Sequence, residues 1–296
     1  MRDPAEAMPA RPWLSVLVPA YAYPEGLGRI LDSLVGPEVA GVECLVHDDS
    51  PDDATERLVR EHRAFREGAV RYRRNSPALG AVRNWNSLLA AARGEFVVLM
   101  HHDEFPDSPG FFAQVRGELQ RLSSPDIMIL ECLVPSVAGR WRRHMPPLLQ
   151  GLLLRMAPGH LLRHNTIGPT AALVILRERV QAFDERLQWL VDVEWAHRLV
   201  TAPGSRWVLA DARVLSSPKP GGSITASLAG RTARLAREES MIVQERLGRI
   251  PAVRLQAPDA AWERGLDVLE RSVWLGTRAA IRVAGLLVQQ PGRRAP

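Results

Sequence analysis

The chain has 296 residues, of which 46% are hydrophobic and 24% charged, and this composition excludes a disordered protein or a small disulfide scaffold. The net charge of +5 suits anionic partners such as nucleotide phosphates, acidic glycans or a phospholipid surface. No nucleic-acid-binding module is recognisable, so no nucleic-acid partner is expected.

The first twelve residues are polar and carry acids, so they do not predict a signal peptide. No apolar run approaches the roughly 20 residues needed to span a bilayer. Cys44 and Cys132 lie in apolar runs, which predicts buried free thiols in a reducing compartment. These features predict a cytoplasmic protein, with peripheral contact at the inner face of the cell membrane left open.

Strands and helices alternate through the first hundred residues. Strands are predicted at 13–20, 42–46, 69–73 and 95–100, and helices at 24–35, from Ser50 onward and at 79–93. Ser50 followed by Pro51 is typical of a helix start with a capping serine. The alternation predicts an α/β protein with a mostly parallel central sheet flanked by helices. Such sheets bind ligands beyond the carboxyl ends of their strands.

The alternation weakens in the second half. A helix at 111–122, strands at 127–133, 170–176 and 206–209, and a helix at 193–201 are predicted. The basic, leucine-rich segment 140–164 shows no strand pattern, and a Pro/Gly-rich turn is expected at 216–222. Helices at 226–247 and 259–289 close the chain.

Gly26 and Gly28, with Asp48 twenty residues after Gly28, resemble a dinucleotide-binding fingerprint. Leu31 occupies the third glycine position, and both glycines fall inside an apolar helical stripe. Two glycines in the first turns of a helix are therefore the favoured interpretation. A dehydrogenase is the least favoured of the functions considered.

Polar clusters follow three predicted elements. Asp48 and Asp49 end a strand and could accept hydrogen bonds from a base or ribose, although a solvated loop would also be acidic. His101-His102-Asp103-Glu104 follows a buried strand and offers ligands for a divalent ion that bridges a diphosphate. Asp192 and Glu194 open a short helix, where an acid is also expected as compensation for the helix dipole.

Five motifs in order resemble the family 2 inverting glycosyltransferases over residues 13–225. They are Val16-Leu17-Val18-Pro19-Ala20-Tyr21 with Asp48-Asp49-Ser50-Pro51-Asp52-Asp53-Ala54-Thr55; Gly80-x-x-Arg83-Asn84-Trp85-Asn86; Ala92-Arg93-Gly94-Glu95-Phe96-Val97; His101-His102-Asp103-Glu104; and Phe183-Asp184-Glu185-x-Leu187 with Asp192-x-Glu194-Trp195-x-x-Arg198-Leu199. The resemblance implies a GT-A type fold and a nucleotide-diphospho-sugar donor. It implies a catalytic domain at 1–225, with a donor half at about 13–105 and an acceptor half at about 106–225, and a helical C-terminal extension at 226–296.

The resemblance also implies roles for individual residues. Asp192 matches the general base, and Asp103 matches the final acid of the Asp-x-Asp element, which meets the diphosphate-bound Mn²⁺ or Mg²⁺. The donor-binding residues implied are Pro19, Tyr21, Asp48, Asp49, Arg83, Asn84, Asn86, His101 and His102. Those expected on the acceptor side are Asn165, Thr166 and Glu194.

Two departures from the family pattern favour a competing hypothesis. His101 replaces the first acid of the Asp-x-Asp element, and residues 213–217 lack a histidine that many relatives carry. Lys219 is the nearby polar substitute, but protonated lysine binds no metal. The competing hypothesis is a weak or inactive nucleotide-sugar-binding protein of the same fold.

The acceptor is expected to be a glycan or a lipid-linked precursor, in surface polysaccharide synthesis. Segment 140–154 combines arginines with leucines, which suits either a lid packed on protein or an anionic lipid surface. Apolar residues from Trp262 to Leu287 form a helical stripe that is expected to pack on the catalytic domain or on a second subunit of a homo-oligomer. A peripheral membrane helix is the alternative there.

Overall fold

The computed structural model describes residues 11–136, 140–217 and 230–247. All of the described residues belong to one compact unit that ends at Ala257. The predictions for Lys219, for most of the turn at 216–222 and for the helix at 259–289 lie outside the described residues. The domain boundary at 225/226 stays a prediction.

The described elements follow the predicted order closely. The strands are β1 (Leu14–Ala20), β2 (Val42–Asp48), β3 (Val70–Arg74), β4 (Phe96–Leu99), β5 (Glu104–Pro106), β6 (Ile127–Pro135), β7 (Trp141–Arg143), β8 (Leu173–Leu176) and β9 (Trp207–Ser216). The α-helices are α1 (Pro24–Asp32), α2 (Ala54–Glu61), α3 (Arg63–Arg66), α4 (Ala81–Ala91), α5 (Phe111–Arg121), α6 (Pro147–Met156), α7 (Val191–Thr201) and α8 (Thr232–Leu247). Short 3₁₀ helices cover Pro37–Val39, Pro158–Leu162, Thr170–Ala172 and Arg177–Arg179.

One mixed sheet runs through the described residues in the order β3-β2-β1-β4-β8-β6-β9-β5, with β7 paired to β6. The first four strands are parallel, in the register Leu14↔Val42 and Leu14↔Phe96. From β8 onward the pairing is antiparallel, apart from the parallel pair β6–β9. The predicted α/β fold is confirmed, and the sheet is parallel in its first half and mixed in its second.

The apolar runs of the sequence are explained by burial on both faces of this sheet. Every residue of β1 is buried, and so is every residue of β4. Strands covered on both faces read as continuous rather than alternating apolar runs. Helix α1 buries Leu27, Ile30 and Leu31, which is the stripe that contains the two glycines.

The prediction of a helix start at Ser50 was wrong. Helix α2 begins at Ala54, whose amide donates to the Asp52 carboxylate (3.1 Å). The Ser50 hydroxyl instead accepts from the Ala22 amide (2.8 Å) and lies 3.0 Å from the Thr55 hydroxyl, so it joins the loops after β1 and β2. The Ser50 side chain thus makes a tertiary contact instead of the helix cap that the local sequence predicts.

Three further elements differ from expectation. Strands β5 and β7 were not predicted, because three residues are too few for a periodicity to appear. Residues 170–172 form a 3₁₀ turn before β8 rather than its first residues. Strand β9 is longer than predicted because pairing with both β6 and β5 extends it to Ser216.

Cys44 and Cys132 are buried and free, as predicted. Among the helices in the described ranges, none combines the length and the apolarity that crossing a bilayer requires.

Candidate functional site

The candidate site lies where β1, β2 and β4 end at the same edge of the sheet. Parallel pairing brings Ala20 opposite Asp48 and Leu17 opposite Leu99, so the loops that follow these strands are neighbours. In open α/β sheets this edge is where ligands bind. The polar clusters of the sequence occupy it.

The loop after β4 is held by Glu104, which is buried. Its carboxylate accepts from the backbone amide of His101 (3.0 Å) and contacts the imidazole Nδ1 (3.1 Å). The Thr170 hydroxyl lies 3.3 Å from the same nitrogen. The imidazole Nε2 of His101 is buried and makes no hydrogen bond.

Asp192 lies in the first turn of α7, 89 residues after Asp103 in the chain. The fold nevertheless places it beside this loop. The amide of Asn165 lies 3.5 Å from its carboxylate, and the charges of His101 and Glu104 both act on it. Burial raises the pKa of Asp192 above its usual range, against the backbone amides of Asp192 and Val193 and the charge of His101. A raised pKa makes a carboxylate a better proton acceptor.

The pKa of His101 is also shifted. Burial lowers it, but the charge and hydrogen bond of Glu104 and the charges of Asp103 and Asp192 outweigh burial and raise the pKa above the usual value. The charges of Asp103, Glu104 and Asp192 thus all act on His101, and these four residues are called here the charged group.

Asn165 lies beside Asp192, with its side-chain amide 3.5 Å from that carboxylate. Its side chain closes a turn by accepting from the amide of Gly168 (2.8 Å), and its carbonyl contacts the His144 ring (2.6 Å). Thr166 is fully buried, and its carbonyl accepts from Gln150 of α6 (2.8 Å). The Thr166 side chain therefore lies beneath the surface that Asn165 exposes.

The predicted nucleoside contacts are buried and well partnered. Asp48 is fully buried and accepts from the Tyr72 hydroxyl (2.7 Å) and the Ser50 amide (2.8 Å). Asp49 accepts from Asn75 (2.7 Å) and from the amide of Gly80 (2.8 Å), which begins α4. Both carboxylates shape the loops of the donor half.

Helix α4 contacts the loop before α7 and so ties the parallel half of the sheet to it. Asn86 exchanges hydrogen bonds with the backbone of Phe183 (2.8 and 3.1 Å), and Arg83 pairs with Glu185 (3.1 Å). Asn84 is buried and donates to the carbonyl of His47 (2.9 Å), so it supports the site from below.

The remaining predicted donor residues line the same edge. Pro19 is buried within β1 opposite His47, and Tyr21 follows that strand with 57% of its surface exposed. His102 packs edge-on against Tyr23, with ring centroids 5.5 Å apart. The backbone carbonyl of Asp103 accepts from Ser217 (2.9 Å), which ties the loop to the end of β9.

Glu194 is not brought to this group. It lies on the opposite side of α7 from Asp192, is buried, and pairs with Arg198 (2.6 Å) and, more distantly, Arg246 (3.6 Å). Its position is between α7 and α8.

Sequence reasoning missed Glu239 of α8. Its carboxylate accepts from the amides of Gln188 (2.9 Å), Trp189 (3.0 and 3.1 Å) and Leu190 (2.8 Å), the three residues that lead into α7. Nothing in the local sequence points to this contact, because about fifty residues separate the partners.

An aromatic stack forms the floor of the site. The Phe183 ring stacks on Trp195 (centroids 4.3 Å apart) and meets Trp85 edge-on (5.2 Å), and Trp85 in turn lies against His101 (4.9 Å). Trp85 belongs to the motif in α4, but its contact with His101 could not be read from spacing.

Within the described ranges, no three or more histidine, cysteine, aspartate or glutamate side chains are grouped closely enough to hold a metal ion. Asp103 is a potential ligand on this loop, and the Nε2 of His101 could become a second one only after the imidazole loses the proton that its raised pKa favours. This fits only an ion whose remaining ligands come from a bound diphosphate or water.

Comparisons with known proteins report on the family and the fold of this chain. The family model described as glycosyl transferase family 2 matches residues 15–124. An uncharacterized protein from Mycobacterium tuberculosis is 28% identical over 217 residues, which cover 65% of this chain and 63% of the relative. The matched part thus spans less than two thirds of that relative's length.

Solved structures share the fold. The structure of S. aureus TarS 1-349 in complex with UDP-GlcNAc superposes with a TM-score of 0.58 at 16% identity, covering 78% of this chain and 66% of that one. The mannosyltransferase PcManGT from Pyrobaculum calidifontis, in complex with GDP-Man and Mn²⁺, gives a TM-score of 0.56 at 19% identity, covering 83% and 67%. Residues 15–124 thus match the model of glycosyl transferase family 2, and the described residues share the α/β fold of these GT-A structures.

Proposed function

We propose that this chain transfers a sugar from a nucleotide-diphosphate donor to a hydroxyl group of a glycan or lipid-linked acceptor, with inversion and with Asp192 as the general base. Glycosyl transfer itself is supported by the family match and the GT-A fold. The proposal includes a role in surface polysaccharide synthesis. It also includes action in the cytoplasm, at the inner face of the membrane.

The observation that carries the proposal is the position of Asp192 beside the loop after β4. Its carboxylate shares one electrostatic environment with His101 and Glu104 and reaches Asn165 at 3.5 Å. A single displacement requires a base near the anomeric carbon and on the face opposite the leaving diphosphate, because the acceptor oxygen attacks from that face.

The proposed step is balanced in atoms and charge. Asp192 takes the proton of the acceptor hydroxyl, and the oxygen forms a bond to the anomeric carbon while the bond to the diphosphate oxygen breaks. The electron pair leaves with the nucleoside diphosphate, whose charge must be compensated at the site.

The loops shaped by Asp48 and Asp49 would hold the nucleoside, with Pro19, Tyr21 and the start of α4 around it. A divalent cation, Mn²⁺ or Mg²⁺, would be held by Asp103, with His101 beside it, and would compensate the charge of the leaving diphosphate. Arg83 and Asn86 would act by fixing the loop at 183–185 that leads towards Asp192.

Substitution of Asp192 by asparagine tests the base directly. We expect Asp192→Asn to lower donor turnover by about 100-fold or more, the contribution typical of a general base. Nucleoside diphosphate binding should stay nearly unchanged, because the substitution leaves the donor loops intact. The measurement is release of nucleoside diphosphate from the donor sugar, alongside a binding titration.

Asp211→Asn, at an exposed carboxylate of β9, is the matched control and should keep full turnover. Full turnover by Asp192→Asn would remove Asp192 from the mechanism.

The competing function is a nucleotide-sugar-binding protein without transfer activity. It is favoured by His101, whose Nδ1 is engaged by Glu104 where the family pattern has an acid. Slow donor hydrolysis in the presence of Mn²⁺ distinguishes the two functions: a transferase site shows it, and a pure binder with intact nucleotide affinity does not.

A further inference from the structure

Helix α6 exposes three large apolar side chains and buries a polar one. Its buried side contains Gln150 and Gly151 with Leu154, whereas Leu148 is 91% exposed, Leu152 54% and Met156 78%. These three side chains, four residues apart, form one face, called here the α6 face. A surface helix of a water-soluble protein normally turns such residues inward.

Contacts on the buried side of α6 prevent the helix from turning about its axis to bury the α6 face. Gln150 donates to the carbonyl of Thr166 (2.8 Å), and Gly151 lies against Leu209 of β9. Arg155, at the edge of the α6 face, lies over the Trp207 ring at 5.2 Å. The outward leucines and methionine are thus fixed in place by the contacts on the opposite side.

The surrounding sequence is basic. Residues 132–177 contain six arginines and no aspartate or glutamate. Arg140 and Arg155 are exposed within it, and Arg143 pairs with Glu131. Exposed leucine and methionine side chains lie here beside arginines, in a segment that contains no acid. They complement a surface that has anionic groups on the outside and an apolar layer beneath them.

Charge argues against two other occupants of the α6 face. Residues 258–296 carry six arginines against four acids, so this segment is itself net positive. A second copy of the chain has a net charge of +5. Neither complements an acid-free basic surface.

We infer that the α6 face docks this protein on an anionic lipid membrane, with Leu148, Leu152 and Met156 entering the interface and the arginines at the headgroups. The same segment supports the acceptor side, because Gln150 holds Thr166 and His144 holds Asn165 (2.6 Å). The inference therefore deepens the proposed function, on which it rests: the acceptor is presented from the membrane surface as a lipid-linked molecule.

Vesicle sedimentation of the full chain tests this inference. Binding to phosphatidylcholine vesicles that contain phosphatidylglycerol is expected at low salt, with weak binding to pure phosphatidylcholine. The triple variant Leu148→Ser, Leu152→Ser, Met156→Ser should lower the partition coefficient by about tenfold or more, since three apolar side chains lose their transfer into the interface. Arg155→Gln alone should lower it by about fivefold, the value that corresponds to one arginine near an anionic surface.

Met241→Ser, at a methionine of α8 that is 65% exposed, is the matched control and should sediment like the parent protein. Because all three substituted side chains are exposed, the triple variant should retain its melting temperature. Failure of the parent protein to bind anionic vesicles, or undiminished binding by the triple variant, overturns the inference. The inference is also overturned if the triple variant binds vesicles like the parent protein and differs from it only in being a monomer where the parent is a dimer.

The outcome is separable from that of the proposed function. Nucleoside diphosphate binding and donor hydrolysis without vesicles test the donor site alone. If both are present and vesicle binding is absent, the lipid-surface inference fails and the transferase proposal stands. If vesicle binding is present without any nucleotide binding, the transferase proposal fails and the membrane contact of the α6 face stands.

Discussion

Gly26 is the residue at which helix α1 comes closest to the loop after β4. A methyl group at this position would overlap the carbonyl oxygen of His102 and the ring of Tyr23. Gly28, two residues on, has ordinary room, with Leu58 at 3.6 Å from such a methyl group. Of the two glycines that resembled a dinucleotide fingerprint, Gly26 is required by close packing and Gly28 is not.

This contrast gives a matched pair of substitutions. Gly26→Ala should destabilise the fold by about 1–3 kcal/mol, the usual cost of overpacking, and weaken nucleoside diphosphate binding as the loop shifts. Gly28→Ala should be neutral or raise stability by up to about 1 kcal/mol, because alanine favours the helix. Urea unfolding and a nucleotide titration measure both effects. Equal behaviour of the two variants would contradict the close approach at Gly26.

His47 is a buried histidine of β2 next to the donor loops. Burial lowers its pKa from 6.5 to about 4, with the charges of Arg73 and Arg71 acting the same way and that of Asp49 opposing them. The unfolded chain therefore binds this proton at a higher pH than the folded protein does. Stability from this group is complete above about pH 6.5 and is lost as the pH falls towards 4.

The expected loss across that window is about 3 kcal/mol in the free energy of unfolding. His47→Asn, which cannot titrate, should remove this part of the pH dependence while keeping a polar atom near Ser87. Urea unfolding at pH 7, 5.5 and 4.5 measures it. A variant with the parent's slope between pH 6.5 and 4 would show that another group is responsible.

At the scale of elements, α8 and the start of α7 are joined by charge. Glu239 is 3% exposed and accepts the amides of Gln188, Trp189 and Leu190, at the positive end of the α7 dipole. Arg246 of the same helix pairs with Asp184 (3.0 Å), on the loop that carries Phe183. Helix α8 therefore fixes the backbone just before Asp192 and acts as a positioning element.

In Glu239→Gln an NH₂ group replaces one carboxylate oxygen, so a hydrogen-bond donor faces the backbone N–H groups that the carboxylate accepts from. We expect it to lower the free energy of unfolding by about 2 kcal/mol or more and to lower kcat of donor hydrolysis more than it changes KM. Glu238→Gln is the control, because that exposed neighbour pairs only with Arg234 (3.3 Å) among the contacts described. If Glu239→Gln loses stability but keeps kcat, the contact is purely structural.

At the scale of the molecule, two kinds of sheet meet at the candidate site. The parallel strands β3-β2-β1-β4 form one half of the sheet, and β4 then pairs antiparallel with β8, which follows Thr170 and Asn165. His101 lies at this junction, between a loop of the parallel half and the turn before β8. One edge of the sheet thereby brings the loops after the parallel strands next to the turn that precedes β8.

A binder of nucleoside diphosphates must be stabilised by its ligand. At a concentration 100 times Kd, a nucleotide that binds only the folded state adds about 2.7 kcal/mol, which for a protein of this size is a rise of roughly 4 °C in Tm. UDP, GDP, CDP and dTDP, each with and without Mn²⁺ or Mg²⁺, should give one selective shift. No shift with any of them would contradict a nucleotide-sugar donor and leave the fold unaffected.

Much of the fold could be predicted from the sequence because its signals are local. Continuous apolar runs such as Val16–Val18 and Phe96–Leu99 arise from strands buried on both sides, and the polar clusters that follow them arise from the sheet edge. Element boundaries failed where a tertiary contact competes with a local preference, as at Ser50, or where a strand has only three residues, as in β5.

The sequence by itself determined the order of strands and helices, the resemblance to family 2 and the residue types at the sheet edge, since these depend on periodicity and short spacing. Only the tertiary structure decided which of those residues meet. It brought Asp192 to His101, turned Glu194 towards Arg198, and set Glu239 at the start of α7. The physical reason is that side chains far apart in the chain become neighbours only when burial of the apolar faces fixes how the elements pack.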